Sequence, residues 1–231
     1  MSAALIHTHL LKAREEICRV GRSLFERGYV HATAGNISMR VGDGFLITPT
    51  DACLGFLDPN ELAHLDSHGV QLSGAKASKT LALHRRIYQA TGALQPDTAC
   101  VIHSHSTHLV ALSLQDKRIE TILGPELLPA ITPYFVMKVG HVPLIPYELP
   151  GAVAAADAVE QAILRYGKQG LPLRAVMLAR LGPNVWHNSP AQAMATLEEL
   201  EETARLYLLT QANALGETQI QALRETFDAH W

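Results

Sequence analysis

The sequence predicts one α/β domain covering residues 1–231, and three observations favour this fold class. The chain is 231 residues long and 48% hydrophobic, which is enough to bury a full core. Amphipathic stretches with helical spacing are interspersed with short apolar runs bounded by glycine or proline, a pattern that is typical of mixed helices and strands. No repeat, linker or low-complexity tract divides the chain into parts.

Charge and composition exclude several classes of function. The net charge of −3 is spread without long blocks of one sign, so we expect no nucleic-acid partner and no binding to an anionic membrane. The chain shows neither a secretory leader pattern nor an apolar run of about 18 residues, so we expect a cytoplasmic protein with no membrane partner. Its three cysteines lack metal-ligand or redox spacing and are interpreted as packing residues. A small-molecule substrate is therefore expected.

The N-terminal part of the sequence predicts a helix and a hairpin flanked by two polar loops. An amphipathic helix over residues 8–27 ends at Gly28. A polar segment at 31–38 with the turn signal Gly35-Asn36 leads into a hairpin, and a second polar loop follows at 48–51. Two such loops lying side by side can bind an anion, although ordinary turns are the simpler explanation of each loop alone.

A second feature suited to an anion precedes the next helix. After a polar hairpin at 63–72, Ser78 is predicted as the N-cap of a helix that runs to about Ala90, with Lys76 and Lys79 beside it. Free N–H groups and the positive end of the helix dipole would face a phosphate there. A solvated cap is the alternative interpretation.

The predicted strand at residues 99–105 carries the candidate metal site. His103 and His105 are separated by one residue, so on a strand both side chains point to the same face. Their Cα atoms would lie roughly 6.6 Å apart, close enough for both imidazoles to bind one divalent ion. A chance pairing in a chain with 12 histidines is the alternative.

The C-terminal half is predicted to continue with further helices and strands. Predicted helices lie at 106–114, 151–166 and 189–211, and predicted strands at 134–139, 141–147, 174–179 and 184–187, with an apolar link at 125–130. The last helix begins with Ser189 as its N-cap and Pro190 at its first position. Its charged face is interpreted as solvated or lying between subunits, and consists of Glu198, Glu199, Glu201 and Glu202.

Five short motifs occur in order along the chain and carry a resemblance to a known family. They are residues 35–38 (GNIS), 47–50 (ITPT), 76–79 (KASK), 101–108 (VIHSHSTH) and 198–205 (EELEETAR). On these motifs nearly the whole chain resembles the class II aldolase family, the metal-dependent group that contains fuculose-phosphate aldolase and ribulose-phosphate 4-epimerase. Residues 50–59, 105–108, 132–140 and 200–206 are most similar to its branch of 3-oxo-tetronate 4-phosphate decarboxylases.

The resemblance implies a three-layer α/β/α sandwich with a mostly antiparallel central sheet, usually assembled as a homotetramer with active sites between subunits. It also implies a divalent metal, zinc or else manganese, held by His103 and His105 together with a third histidine. The metal would stabilise the enediolate formed when a carbon–carbon bond breaks. Tyr134 would be a proton donor that reaches a neighbouring site. The phosphate of a phosphorylated sugar acid would lie on Gly35, Asn36, Thr48, Thr50, Ser78 and Lys79.

Two positions depart from the family pattern. Leu181 stands where the family has its third histidine ligand, and Thr80 occupies the catalytic position of the family's acid/base glutamate. A site with two histidines would hold zinc more weakly than the usual three protein ligands, unless another residue takes part. The available imidazoles, none at the family position, are His84, His108, His141 and His187.

Three functions remain open on these residues. The first is a metal-dependent carbon–carbon lyase, namely a decarboxylase of a 3-oxo-tetronate 4-phosphate or a related sugar acid. The second is a relative with changed chemistry, such as a sugar-phosphate aldolase or an aromatic-acid decarboxylase. The third is a non-catalytic, adducin-like family member that has kept the fold but lost the third ligand and the glutamate.

Overall fold

An eight-stranded sheet forms the middle layer of the protein, whose computed structural model describes residues 3–115 and 118–231. The strands are β1 (Asn36–Val41), β2 (Gly44–Ile47), β3 (Ala63–Leu65), β4 (Gln71–Ser73), β5 (Cys100–His103), β6 (Ile119–Thr121), β7 (Gly124–Glu126), β8 (Leu144–Ile145), β9 (Ala175–Leu178) and β10 (Gly182–His187). The order across the sheet is β4-β3-β2-β1-β5-β10-β9-β8, and β6 and β7 pair separately. Among the described strands only β8 and β9 pair in parallel.

Helices cover both faces of this sheet. The described residues form α1 (Ala3–Glu26), α2 (Leu81–Thr91), α3 (Thr107–Ser113), α4 (Pro133–Lys138), α5 (Val153–Gly167), α6 (Pro190–Thr210) and α7 (Glu217–Phe227). Side chains of α1, α3 and α6 share one buried core with the sheet, and those of α2 and α5 share another. The expected three-layer α/β/α sandwich is confirmed. No helix within the described ranges is long and apolar enough to cross a membrane.

Alternation along β5 determines which helix layer each of its side chains meets. Ile102 is fully buried in the core shared with α1 and α6, whereas Val101 is fully buried in the core shared with α2 and α5. Because successive side chains of a strand point to opposite faces, His103 lies on the same face as Val101. The first histidine of the candidate metal pair is therefore on the α2 and α5 side of the sheet.

Several predicted boundaries are confirmed. Helix α1 ends at Glu26, and Gly28 follows with a φ of +73°, a backbone conformation that favours glycine. The two predicted hairpins form the β1–β2 and β3–β4 pairs. Helix α6 begins after Ser189, whose hydroxyl accepts a hydrogen bond from the Gln192 N–H at 3.3 Å.

The predicted strand over residues 134–139 is wrong, since this segment lies in helix α4. The Thr132 hydroxyl accepts a hydrogen bond from the Phe135 N–H at 3.1 Å, and Pro133 occupies the first helical position. These capping features start a helix although the apolar residues that follow suit a strand equally well. Of the second predicted strand, at 141–147, only the β8 residues pair, at the edge of the sheet.

Three further details differ from the prediction. The N-cap of α2 is Thr80 and not Ser78, because the Ser78 hydroxyl instead lies 2.9 Å from the Thr80 hydroxyl. Glu201 is 4% exposed rather than solvated, since it accepts hydrogen bonds from the N–H groups of His108 and Leu109 at the start of α3. The β6–β7 hairpin and helix α7 occupy segments for which the sequence predicts no helix or strand.

Gly182 brings the start of β10 into close contact with the residue that follows β5. Its φ is +143°, and a Cβ atom at this position would clash with the Ser104 carbonyl oxygen. We expect Gly182→Ala to destabilise the fold by about 2–4 kcal/mol, because both the backbone conformation and the contact must change. Denaturant unfolding followed by circular dichroism measures the free energy of unfolding.

Gly42→Ala is the matched control for this substitution. Gly42 also has a positive φ, +58°, but nothing lies within 4 Å of a Cβ atom placed there. We therefore expect a loss of only about 1 kcal/mol, from the backbone conformation alone. Equal losses in the two variants would show that the contact with Ser104 contributes nothing.

Candidate active site

His103 and His105 converge at the end of β5. Their Nε2 atoms are 3.1 Å apart, and their ring centroids are 4.9 Å apart with the ring planes at 70°. Strand β5 ends at His103, so His105 lies just beyond the paired part of the strand. Two nitrogens that bind one tetrahedral zinc ion at about 2.0–2.1 Å lie about 3.3 Å apart. The separation of the two Nε2 atoms therefore suits a shared ion.

A backbone acceptor fixes the orientation of the His103 ring. His103 Nδ1 is 3.0 Å from the Pro183 carbonyl oxygen, so this nitrogen carries the proton and donates it. The lone pair is then on Nε2, which faces His105. Burial lowers the pKa of His103 to about 4, and the neighbouring His105 adds to the effect. A neutral imidazole with its other nitrogen hydrogen-bonded is the usual form of a histidine metal ligand.

Buried polar atoms without partners surround His103. Asn36 of β1 and Asn184 of β10 lie directly opposite His103 in the antiparallel pairing, so all three side chains share one face of the sheet. Within the described residues, no hydrogen bond reaches Asn36 Oδ1, either amide atom of Asn184, or Nε2 of His84 on α2. Unpaired buried polar atoms cost free energy. Such a cluster is typical of a place where water or a polar ligand binds.

His84 is held in this cluster by its other nitrogen. Its Nδ1 is 2.7 Å from the Ser38 hydroxyl, which lies 2.9 Å from the Tyr88 hydroxyl. Burial, and secondarily the nearby His103, lowers the pKa of His84 to about 3. The hydrogen-bonded chain therefore keeps a neutral imidazole near the candidate metal pair.

The predicted polar loop at residues 48–51 lies beside residues 76–79, which precede α2, and we call these two segments the anion loops. The Thr50 N–H donates to the Lys76 carbonyl at 2.9 Å, and the Ser78 N–H donates to the Thr48 carbonyl at 3.2 Å. Thr48 is fully buried, and its hydroxyl accepts a hydrogen bond from the Ile37 N–H at 3.2 Å, so it supports the loop from inside. Thr50 and Ser78 are partly exposed, and the Ser78 hydroxyl lies 2.9 Å from the Thr80 hydroxyl.

Gly35 joins these loops to the histidine pair. A Cβ atom at Gly35 would lie 3.0 Å from the His103 carbonyl oxygen and 2.7 Å from a methyl carbon of Val30, and its φ is +85°. Only glycine permits this close approach without strain. Lys79 is exposed next to Thr80 at the start of α2. The candidate phosphate residues and the histidine pair therefore lie at one corner of the sheet.

Tyr134 is not brought to this corner within one chain. It is 62% exposed on the short helix α4, which packs against α6 and α7. The Tyr134 side chain is therefore accessible to another molecule. Its predicted place in a neighbouring subunit's site is compatible with this exposure.

The corner supplies two imidazoles but not a complete metal site. Leu181 is partly buried against the core of α2 and α5, and an aliphatic side chain offers no ligand atom. In residues 3–115 and 118–231, no group of three or more His, Cys, Asp or Glu side chains is arranged to hold a metal ion. The donor set fits a divalent ion through two nitrogen ligands.

The other imidazoles considered from the sequence are engaged elsewhere or fixed in place. His84 is tied to Ser38 as described above. The remaining three have their own partners: His108 Nδ1 lies 2.8 Å from Glu201, His141 Nδ1 lies 2.9 Å from Glu126, and His187 Nδ1 lies 3.0 Å from Asn188. The structure therefore places none of these three at the histidine pair.

One histidine near the pair is missed by the sequence reasoning. The His31 ring meets the His105 ring edge-on, with the centroids 6.3 Å apart. His31 is exposed, in the loop that leads into β1. Its position in the polar segment at 31–38, just before the turn at Gly35-Asn36, is the signal that could have identified it.

Comparison with known proteins points to one family. Residues 15–208 match the family described as Class II Aldolase and Adducin N-terminal domain. A 3-oxo-tetronate 4-phosphate decarboxylase from Cupriavidus necator is 47% identical over 228 residues, covering 95% of this chain and 98% of that protein. The solved structure of YgbL from Klebsiella pneumoniae is 36% identical, has a TM-score of 0.78 and covers 93% of this chain and 99% of that one. An L-fuculose-1-phosphate aldolase from Thermus thermophilus shares the fold at 24% identity, with a TM-score of 0.67 and coverage of 88% of this chain and 98% of that one.

These matches bear on the family and on the class of enzyme expected from the sequence. The matched range includes the histidine pair, both anion loops and Tyr134. The similarity to curated decarboxylases confirms the expectation of an enzyme of the lyase class. The chain belongs to the class II aldolase and adducin family.

Proposed function

We propose that this chain is a metal-dependent decarboxylase of a phosphorylated 3-oxo sugar acid, with 3-oxo-tetronate 4-phosphate as the first substrate to test. The convergence of His103 and His105 beside two anion loops carries the proposal, because it joins a candidate cation site to a candidate anion site. The name of the relative at 47% identity favours this substrate class.

His103 and His105 would hold the divalent metal, with zinc as the first candidate because imidazole nitrogens suit it. A bound metal ion supplies positive charge that stabilises the electron pair left behind when carbon dioxide departs. The Pro183 carbonyl keeps His103 Nε2 aimed at His105. Burial favours the neutral form of both rings by lowering both pKa values, so neither ring must lose a proton before it binds a cation.

The anion loops would bind the substrate phosphate at a distance from the reacting carbon. The hydroxyls of the partly exposed Thr50 and Ser78 and the ammonium group of the exposed Lys79 would contact it. Thr48 would hold the loop from inside, and Gly35 would allow the loop to approach His103. Asn36, beside Gly35 and opposite His103, would present its side-chain amide to the substrate.

Thr80 favours decarboxylation over aldol cleavage. Aldol cleavage begins when a base removes a proton from a hydroxyl group, and a threonine side chain is not a base at neutral pH. Decarboxylation needs no such base, because the carboxylate leaves as carbon dioxide and its bonding electron pair stays on the substrate. Thr80 would instead position the anion loop through its hydrogen bond to Ser78.

The product of this step still needs a proton on the carbon that lost carbon dioxide. Tyr134 would donate it from a neighbouring subunit, since its side chain is exposed on its own chain. This role requires an oligomer, and we propose a cytoplasmic homotetramer with active sites between subunits, as in the family that the chain resembles.

Removal of His103 tests the metal and the reaction together. The purified protein should contain about one zinc or manganese ion per subunit and release carbon dioxide from 3-oxo-tetronate 4-phosphate. His103→Ala should lose the ion and lower kcat/KM by about 10³-fold or more, because charge stabilisation at the reacting centre is lost. Elemental analysis and a carbon dioxide assay measure the two effects. A wild-type protein that stays free of metal in millimolar zinc would contradict the proposal.

Substitution in the anion loops should affect substrate binding more than chemistry. Ser78→Ala and Lys79→Ala should each raise KM about tenfold while kcat changes less than about threefold, because they contact a remote phosphate. Steady-state kinetics measures both constants. Lys168→Ala removes an exposed lysine at the end of α5 and is the control for a general charge effect. An unchanged KM in both loop variants would place the phosphate elsewhere.

Subunit mixing tests the role of Tyr134. Tyr134→Phe should lower kcat with little change in KM, because a proton donor acts after the substrate has bound. If Tyr134 serves a neighbouring site, tetramers reassembled from equal amounts of Tyr134→Phe and His103→Ala subunits should regain about one quarter of the wild-type activity. Activity that stays at the level of the separate variants would assign Tyr134 to its own subunit or to no site.

A further inference from the structure

We propose that His31 is the third imidazole ligand of the divalent metal, in place of the histidine that is missing at Leu181. This inference rests on the proposed function, because it needs His103 and His105 to bind an ion. It assigns the ligand to an exposed loop before β1 rather than to the segment between β9 and β10.

The His31 ring meets the His105 ring edge-on. The centroid distances are 6.3 Å from His31 to His105 and 4.9 Å from His103 to His105. His31 is exposed, and within the described residues no hydrogen bond to its ring is present, so the ring is able to rotate towards the pair. Catalytic zinc sites usually have three protein ligands, and a rotated His31 would supply the one that the buried pair lacks.

The backbone holds His31 at this corner. The Ala34 N–H donates to the His31 carbonyl at 2.9 Å, and Ala32 has a positive φ of +47°, so residues 31–34 form a tight turn. Gly35 then packs directly against the His103 carbonyl. The loop is therefore fixed to the strand that carries His103, and the position of His31 does not depend on a flexible tether.

The other candidate ligands are less suited to this role. Leu181 offers no ligand atom, and His108, His141 and His187 are bonded to partners away from the pair. His84 remains as the competitor, because its Nε2 is unpaired and the imidazole lies near His103. However, His84 is fully buried and its Nδ1 is bonded to Ser38 at 2.7 Å, so its ring is fixed in place, whereas the exposed His31 ring is able to rotate towards the pair.

Zinc affinity tests the assignment without any substrate. His31→Ala should weaken zinc binding by about 100-fold or more relative to wild type, measured by competition with a chromophoric chelator. His9→Ala, which removes an exposed histidine on α1, should leave the affinity unchanged. Thermal unfolding of the metal-free proteins should show equal melting temperatures for wild type and His31→Ala, since His31 is exposed.

Cobalt substitution tests direct ligation. Cobalt(II) bound to the wild-type protein should show visible absorption bands that change in His31→Ala, because these bands depend on the number and type of ligands. His31→Cys should restore binding and add a thiolate-to-cobalt absorption band in the near ultraviolet that wild type lacks. A residue with a merely structural role would not produce this band.

The outcomes distinguish an error in the assignment of His31 as a ligand from an error in the proposed function. If wild type binds one metal ion and His31→Ala binds it equally well with the same cobalt spectrum, the inference is wrong and the decarboxylase proposal stands. If His84→Ala, and not His31→Ala, abolishes binding, the third ligand is His84 and the inference is again wrong. If wild type binds neither zinc nor cobalt, the proposed metal-dependent function fails, and the inference fails with it.

Discussion

The candidate site depends on the register of β5 between its two neighbours. In this register His103 lies opposite Asn36 on one side and Asn184 on the other, and Pro183 accepts the hydrogen bond from His103 Nδ1. A shift by one residue would turn His103 to the opposite face of the sheet, into the apolar core shared with α1 and α6. Because β5 lies between β1 and β10, its register fixes the position of the His103 ring. The other residues of the candidate site lie around this ring.

Several buried polar side chains near His103 lower the stability of the fold, and their position beside the candidate metal pair indicates why they are present. Asn36, Asn184 and His84 are almost completely buried, yet the described structure leaves at least one polar atom of each without a hydrogen bond. Apolar side chains at these places would pack without this cost. Polar groups retained beside a candidate metal pair indicate that this part of the interior is built to interact with something polar, and not only to stabilise the fold.

Sequence reasoning predicted the features that depend on local pattern. The glycine at residue 28 and the cap at Ser189 each act over a few residues, and the structure has them in the expected form. His103 and His105 converge, although the strand expected to carry both ends at His103. The order of motifs also predicted the layered fold, because those motifs extend over nearly the whole chain. The capping of α4 by Thr132 was equally local, but the apolar residues that follow concealed it.

Features that depend on distant contacts were not predictable in this way. Glu201 belongs to a run of charged residues typical of a solvated face, but it is buried because it bonds a helix start 93 residues away in the chain. His31 lies 74 residues before His105, since 105 − 31 = 74, and the close contact of Gly35 with the His103 carbonyl holds the loop of His31 beside the strand that carries His103. Neither partner could be selected by spacing alone, because loop closure over such lengths is governed by the tertiary fold.

The close contact between Gly182 and Ser104 constrains the path of the main chain but not the choice of side chain at residue 181. The steric demand there concerns the main chain and is indifferent to which side chain stands one position earlier. An imidazole at residue 181 could thus be exchanged for an aliphatic group without redirecting the polypeptide into β10. Diversification of chemistry on this scaffold then requires only point changes among side chains, while the path of the backbone is maintained by its own geometry.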